Sequence, residues 1–88
     1  MALCVDTPKQ RTVAGRLRWT AHLISDTSLE ELHAFAQALG LPPKAFHNKP
    51  NRPHYDLLDH WIGHAITRGA VPLSARALAT RLAALYPD

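Results

Sequence analysis

The sequence lacks the features that mark secreted, disulfide-stabilised and membrane-spanning proteins. With Cys4 as the single cysteine, no internal disulfide can form, and a lone thiol in an apolar run favours a buried, inert residue and a reducing compartment. No uninterrupted apolar run reaches the roughly 18 residues of a membrane span, and no charged-then-apolar leader precedes a small-residue cleavage site. We therefore expect a cytoplasmic protein with no membrane partner.

The sequence also has too little charge for an intrinsically disordered chain. Hydrophobic residues make up 47% and charged residues 19% of its 88 residues, and both values are typical of globular proteins. A chain of this length is expected to form one domain, residues 1–88, with a small core and marginal stability. The net charge of +3 favours polyanionic partners only weakly, because many unrelated small proteins carry a similar excess.

Three short stretches have the composition of β-strands. They are apolar or rich in β-branched and aromatic residues, and they span residues 2–5, 19–25 and 54–57. Residues 71–73 favour a bridge or edge strand. Between the first two strands, residues 9–18 are basic and contain a glycine, which predicts a loop or an irregular hairpin.

Helix signals lie between and after these strands. Ser28 and Glu31 have the spacing of a capping box, which predicts a helix that ends at Gly40. Further helices are expected after Asp59 and Ser74. The order predicts a small α/β domain of about three short strands and three helices. A right-handed helical crossover would make the second and third strands parallel, so at least two strands should be parallel.

Three aspartates follow the three predicted strands, at Asp6, Asp26 and Asp56. In open parallel sheets, ligands bind just beyond the carboxyl ends of the strands. If all three strands are parallel, the three carboxylates would converge and hold a divalent metal, for which Mg²⁺ or Mn²⁺ is expected. The alternative is that these residues only shape turns, which is a common role of aspartate.

Histidines provide candidates for proton transfer. His54 and Asp56 stand two residues apart on a predicted strand, so both side chains point to one face. A neighbouring carboxylate orients an imidazole and raises its pKa, which suits a general base. His54, Asp56 and His22 are therefore the predicted catalytic residues, although each histidine is equally compatible with a structural or solvent-facing role.

A second histidine pair has the spacing of half a zinc site. His60 and His64 lie one helical turn apart, so they share a face of the predicted helix. Zinc metalloprotease helices have a glutamate directly after the first histidine, and Trp61 stands at that position. A solvated polar helix face is the alternative.

The basic stretch at residues 9–18 provides candidates for anion binding. Arg11, Arg16 and Arg18 are predicted to neutralise phosphate. No glycine-rich phosphate cradle accompanies them, so a solvated surface loop is the alternative.

Three stretches of the chain match the pattern of a known family. They are residues 22–26 (HLISD), 28–36 (SLEELHAFA) and 54–57 (HYDL). On these stretches the sequence resembles the bacterial and phage family catalogued as domain of unknown function 4031, over about residues 2–80. The family name carries no activity. The resemblance implies that five residues fall on the motif positions of the family: Asp6, His22, Asp26, His54 and Asp56.

The sequence departs from the family pattern in one region. Basic residues follow the HYDL element in the pattern, whereas Trp61 and Ile62 stand there in this chain. If those basic side chains bind an anion in the family, the resemblance implies that such binding is lost or altered here.

Two classes of function are compatible with these features. The first is a phosphate-handling or nucleic-acid-associated protein with an Asp/His site at the strand ends, whose partner is a nucleic acid or a phosphorylated ligand. The second is a non-catalytic interaction module or regulator that binds a partner protein through the basic stretch and the face around Trp61. The sequence does not decide whether the protein is an enzyme.

Overall fold

The longest strand, β3 (Arg16–Ser25), forms the centre of the sheet. The computed structural model describes residues 3–86, which form six strands and three helices, with a 3-10 turn at Pro43–Ala45. The other strands are β1 (Leu3–Val5), β2 (Lys9–Val13), β4 (Phe46–His47), β5 (His54–Leu58) and β6 (Val71–Pro72). The helices are α1 (Leu29–Leu39), α2 (His60–Thr67) and α3 (Ala75–Leu85).

The strands form a mixed sheet in the order β4-β5-β3-β1-β6, and β2 also pairs with β3. β3 is antiparallel to β1, β2 and β5, whereas β1 and β6 are parallel. A two-residue turn joins β2 to β3, and its residues Ala14 and Gly15 have positive φ angles of 51° and 80°. Two such residues match the right-handed twist of the flanking strands, which is why tight hairpins use them.

The strand count expected from the sequence is too low, because six strands form among residues 3–86 where about three were predicted. β2 (KQRTV) has mostly exposed side chains and therefore lacks the apolar alternation that identifies a strand. β4 and β6 have two residues each and are too short to show a periodicity. The predicted edge strand at residues 71–73 is confirmed as β6.

The predicted parallel pairing of residues 19–25 with residues 54–57 is wrong, since β3 and β5 are antiparallel. β4 is antiparallel to β5 and therefore runs in the same direction as β3. The helical crossover through α1 thus leads to β4, and the loop at residues 48–53 turns the chain back into β5. The parallel pair of the sheet is β1 with β6, and α2 lies between β5 and β6 in the chain.

One face of the sheet carries the main hydrophobic core. Side chains alternate along a strand, so Ala21 and Leu23 of β3 lie on the same face as Tyr55 and Leu57 of β5. These residues pack against apolar side chains of α1 and α2, among them Leu32, Ala36, Ile62 and Ala65. Leu23 and Leu57 are fully buried, and burial of a leucine side chain stabilises the fold by about 1.5–3 kcal/mol.

The opposite face is covered by a helix only at one end. There Leu78 and Leu82 of α3 pack on Cys4 of β1 and Ile24 of β3. The remainder of this face, around His22, carries polar side chains and contains the two clefts described below. Among residues 3–86, every helix is too short or too polar to cross a bilayer.

Candidate metal centre

Strand register brings four side chains together on the partly covered face. His22 of β3 lies directly opposite Asp56 of β5. His54 precedes Asp56 by two residues and therefore points to the same face. His47 of β4 lies directly opposite His54. Cross-strand neighbours of this kind have Cβ atoms about 4.5–5.5 Å apart, so three neighbouring strands build one cluster.

Three of these side chains have the geometry of metal ligands. Each of His22, His54 and Asp56 offers one ligand atom, and these atoms all lie within 4.8 Å of one another. Asp56 Oδ1 is 3.4 Å from His54 Nε2 and 3.9 Å from His22 Nε2. Metal–ligand bonds of about 2 Å place ligand atoms roughly 3–4 Å apart, so small side-chain rotations close this set around one ion.

Hydrogen bonds on the far side of each ring fix the histidines. His22 Nδ1 lies 2.7 Å from Asp6 Oδ2, and His54 Nδ1 lies 3.0 Å from the carbonyl oxygen of Arg52. A carbonyl can only accept, so Nδ1 of His54 carries the proton, and the Asp6 carboxylate imposes the same tautomer on His22. In the neutral form of each ring the lone pair is then on Nε2, directed to Asp56. Metal-binding histidines are normally supported in this way.

Local electrostatics act in opposite directions on the two rings. The hydrogen bond to Asp6 raises the pKa of His22 above its ordinary value, although burial opposes the shift. Burial raises the pKa of Asp6, but the hydrogen bonds from His22 outweigh it, so the pKa of that carboxyl is lowered. Burial lowers the pKa of His54 and so favours the neutral ring, which is the form that binds metals.

His47 was not among the predicted site residues, yet it contacts the centre. Its Nε2 lies 2.8 Å from Asp56 Oδ2, and its ring stacks on His54 with centroids 5.4 Å apart. His47 therefore occupies one oxygen of Asp56 and leaves the other directed to His22 and His54. No strand was predicted at this residue, and only the register of the two-residue strand β4 reveals its contact with the cluster.

The three aspartates predicted to converge do not do so, because β1 and β5 are antiparallel to β3. Asp56 lies in the cluster, and Asp6 lies behind His22 as its hydrogen-bond partner. Asp26 is four residues beyond His22, about 13 Å along β3, and its carboxylate accepts a hydrogen bond from Arg81 Nη1 at 2.7 Å. Of the aspartates predicted as metal ligands, only Asp56 belongs to the group with His22 and His54.

The three predicted anion-binding arginines lie near one another, since Arg11 of β2 stands directly opposite Arg18 of β3, but only one of them adjoins the cluster. Arg11 lies beside the cluster, where it lines both neighbouring clefts. Arg18 is bound to the carboxylate of Asp59. Arg16 stands six residues from His22, about 20 Å along β3.

Two clefts adjoin the cluster and share Arg11, His22, His47 and Asp56. The first, which we call the apolar cleft, has a volume of about 340 Å³. Its apolar walls are Val13, Leu41, Pro42, Ala45, Leu58 and Trp61. The second, which we call the basic cleft, has a volume of about 580 Å³. Its cationic side chains are Lys9, Arg11, Lys49 and Arg52.

The alternative zinc half-site has no third ligand among residues 3–86. The rings of His60 and His64 instead contact the Trp61 ring, with centroid separations of 5.1 and 5.8 Å. These histidines form a helix surface around a tryptophan.

Comparison with known proteins identifies the family. A family model described as protein of unknown function (DUF4031) matches residues 3–85. The chain therefore belongs to that family, and the resemblance found in the sequence is confirmed. No curated protein and no solved structure matches the chain.

Proposed function

We propose that this protein is a metal-dependent phosphoesterase whose metal is held by His22, His54 and Asp56. The observation that carries the proposal is the pair of supported histidines: both rings have Nδ1 engaged and Nε2 directed to one carboxylate. Nothing in the core requires this arrangement, because the three side chains lie on the face opposite the main core.

The donor set changes the metal that we expect. Two imidazoles and one carboxylate suit zinc, iron, cobalt or nickel, whereas Mg²⁺ prefers oxygen ligands. We therefore propose zinc, iron, cobalt or nickel in place of the Mg²⁺ or Mn²⁺ expected from three aspartates. Three protein ligands leave coordination positions open, as in catalytic zinc sites and unlike closed structural sites.

The charges around the centre favour an anionic substrate. Four cationic side chains line the basic cleft, Lys9, Arg11, Lys49 and Arg52. The carboxylates of the same cleft, Asp6 and Asp56, are both paired with histidines. A phosphate ester is the anionic substrate that best suits metal-assisted hydrolysis here, since the metal and the cationic side chains together neutralise the phosphate oxygens.

The reaction follows from this placement. A divalent metal held by His22, His54 and Asp56 would make a hydroxide available at neutral pH, because such a metal lowers the pKa of its water to about 7. With a metal held by His22, His54 and Asp56, water would add to phosphorus as the ester P–O bond breaks, and the departing oxygen would take up a proton. His47 is placed to carry that proton, since its Nε2 lies beside Asp56 and its side chain is 44% exposed. Arg11 holds the phosphate oxygens.

The test is hydrolysis of chromogenic phosphate esters by metal-loaded protein. Chelator-treated protein is reloaded with Zn²⁺, Co²⁺, Mn²⁺ or Mg²⁺ and assayed with a phosphomonoester and a phosphodiester. We expect activity with Zn²⁺ or Co²⁺ that is lost in Asp56→Ala and retained in Glu30→Ala, which removes an exposed carboxylate of α1. Protein that binds a metal and hydrolyses neither these esters nor any other phosphate ester would overturn the phosphoesterase.

A non-catalytic interaction module remains the competing proposal, and one observation favours it. Leu17 and Trp19 of β3 are 65% and 50% exposed and lie on the same face of the strand. Trp61, which was expected to serve this role, is partly buried against the core. A partner protein whose binding is abolished by Trp19→Ala and unaffected by Asp56→Ala would support this function.

A further inference from the structure

The two clefts lie one after the other along β3 and β5, with the metal centre between them. On β3, Thr20 lines the apolar cleft, His22 lines both clefts and Ile24 lines the basic cleft. β5 repeats this order in the opposite direction, from Leu58 through Asp56 to His54. Four strand residues span about 13 Å, so one extended ligand can occupy both clefts and cross the metal centre.

The apolar cleft fits a flat aromatic group. Leu41, Pro42 and Ala45 come from the segment after α1, and Leu58 and Trp61 come from the segment around the start of α2. Trp61 provides a flat ring, and base–aromatic stacking needs no particular base. Two polar side chains of the same cleft, Thr20 and Lys44, can hydrogen-bond the edge of a bound ring.

The basic cleft fits a second anionic group beyond the metal centre. Lys49 and Arg52 come from the loop before β5 and line this cleft without lining the apolar cleft. A small phosphate ester would need only Arg11 and the metal. The additional cations are explained by a substrate that continues past the reacting phosphate with another phosphate.

We infer that the substrate is single-stranded nucleic acid. One base lies in the apolar cleft, the reacting phosphodiester lies at the metal centre beside Arg11, and the next phosphate lies against Lys49 and Arg52. A single strand is required because a base must leave the stack to enter the cleft. Hydrolysis adds one water, breaks one P–O bond and leaves a phosphate on one product and a hydroxyl on the other. The inference rests on the proposed metal-dependent phosphoesterase.

The test is binding and cleavage of labelled oligonucleotides by the metal-loaded full chain. We compare a single strand, the same sequence as a duplex, and a single strand whose sugars carry no bases. We expect the single strand to bind and to be cut, and the strand without bases to bind about 10-fold more weakly.

A charge variant tests the second phosphate. Arg52→Ala should weaken single-strand binding. It should also reduce the magnitude of the slope of log K against log salt concentration by about 1. Arg68→Ala removes the same charge from the cap of α2, outside both clefts, and should change neither.

The outcomes separate the two proposals. Equal binding and cleavage of strands with and without bases would overturn the nucleic-acid inference. So would hydrolysis of small phosphodiesters without cleavage of any oligonucleotide, and in both cases the phosphoesterase would stand. Absence of hydrolysis with every phosphate ester, from protein that binds a metal, would overturn the phosphoesterase and with it this inference.

Discussion

Asp6 binds His22 through both of its carboxylate oxygens. The backbone N–H of His22 donates to Oδ1 and the ring Nδ1 lies against Oδ2, each at 2.7 Å. Asp6 follows β1 and His22 is in the middle of β3, so this contact holds the two strands together where their pairing passes from β1 to β2. It also fixes the ring with Nε2 toward Asp56.

We expect Asp6→Asn to weaken metal binding without abolishing it. An amide still accepts a hydrogen bond from the backbone of His22, but it cannot increase the basicity of the ring as a carboxylate does. Loss of such a supporting group typically costs about 10–100-fold in metal affinity. Titration of the apo-protein with Zn²⁺ measures this change, and an unchanged affinity would show that Asp6 has only a structural role.

The loss of stability caused by a leucine-to-alanine substitution should depend on the position of the leucine along β3. Leu17 and Leu23 lie on the same face of this strand, but Leu17 is 65% exposed and Leu23 is 0% exposed. Leu23→Ala leaves a cavity in the core and should cost about 2–5 kcal/mol. Leu17→Ala should change stability by no more than about 0.5 kcal/mol. Urea unfolding of both variants measures the difference, and similar losses would contradict the assignment of the core.

The turn between β2 and β3 provides a matched pair of substitutions. Ala14 has a φ of 51° and Gly15 a φ of 80°, a region that costs most L-residues about 1–2 kcal/mol. Ala14→Asn should stabilise the protein, because asparagine tolerates this region better. Gly15→Ala should destabilise it through backbone strain alone, since nothing lies within 4 Å of the added Cβ. Thermal unfolding measures both effects, and shifts of the same sign would contradict this turn.

The pH dependence of stability should include a contribution from Asp59. Two hydrogen bonds lower the pKa of Asp59. The larger effect comes from the Arg18 side chain and the smaller one from the Trp19 backbone. A lowered pKa in the folded state stabilises the protein above the unfolded pKa, about 3.9 for aspartate. This stabilisation is lost as the pH falls through the folded pKa.

The variant that tests this contribution is Asp59→Asn. Asparagine tolerates the positive φ of 47° at this position and retains an acceptor for Trp19. We expect the variant to have a lower Tm than the parent at about pH 6. The difference in Tm between the two proteins should become smaller from about pH 4 downward. A gap that is the same at low and neutral pH would show that the charge of Asp59 does not contribute.

Local signals in the sequence predicted the helix ends well. Ser28 accepts a hydrogen bond from the Glu31 backbone at 3.0 Å, and Gly40 ends α1 with a φ of 87°. The Glu31 carboxylate departs from the predicted capping box, because it accepts a hydrogen bond from the Ser25 hydroxyl at 2.6 Å. Caps depend on a few neighbouring residues, and therefore a sequence pattern is enough to find them.

Strand direction and register depend on pairing between residues far apart in the chain. The predicted directions of the strands were therefore wrong. The spacing of His54 and Asp56 placed both on one face whatever the topology, whereas His22 was a candidate only because imidazole titrates near neutral pH. The predicted role of Asp26 required parallel strands. Antiparallel pairing leaves Asp26 at the carboxyl end of β3 and places Asp6 and Asp56 beside His22 in the middle of that strand. His47 could only be found from its pairing with His54, which no local pattern shows.

The most direct test of the metal centre is calorimetric titration of chelator-treated protein with Zn²⁺. The account predicts one saturable site per chain, formed by His22, His54 and Asp56. The site should be lost in a folded Asp56→Ala variant and retained in Glu30→Ala. No saturable binding, or binding of the same stoichiometry and affinity in Asp56→Ala, would contradict the metal centre.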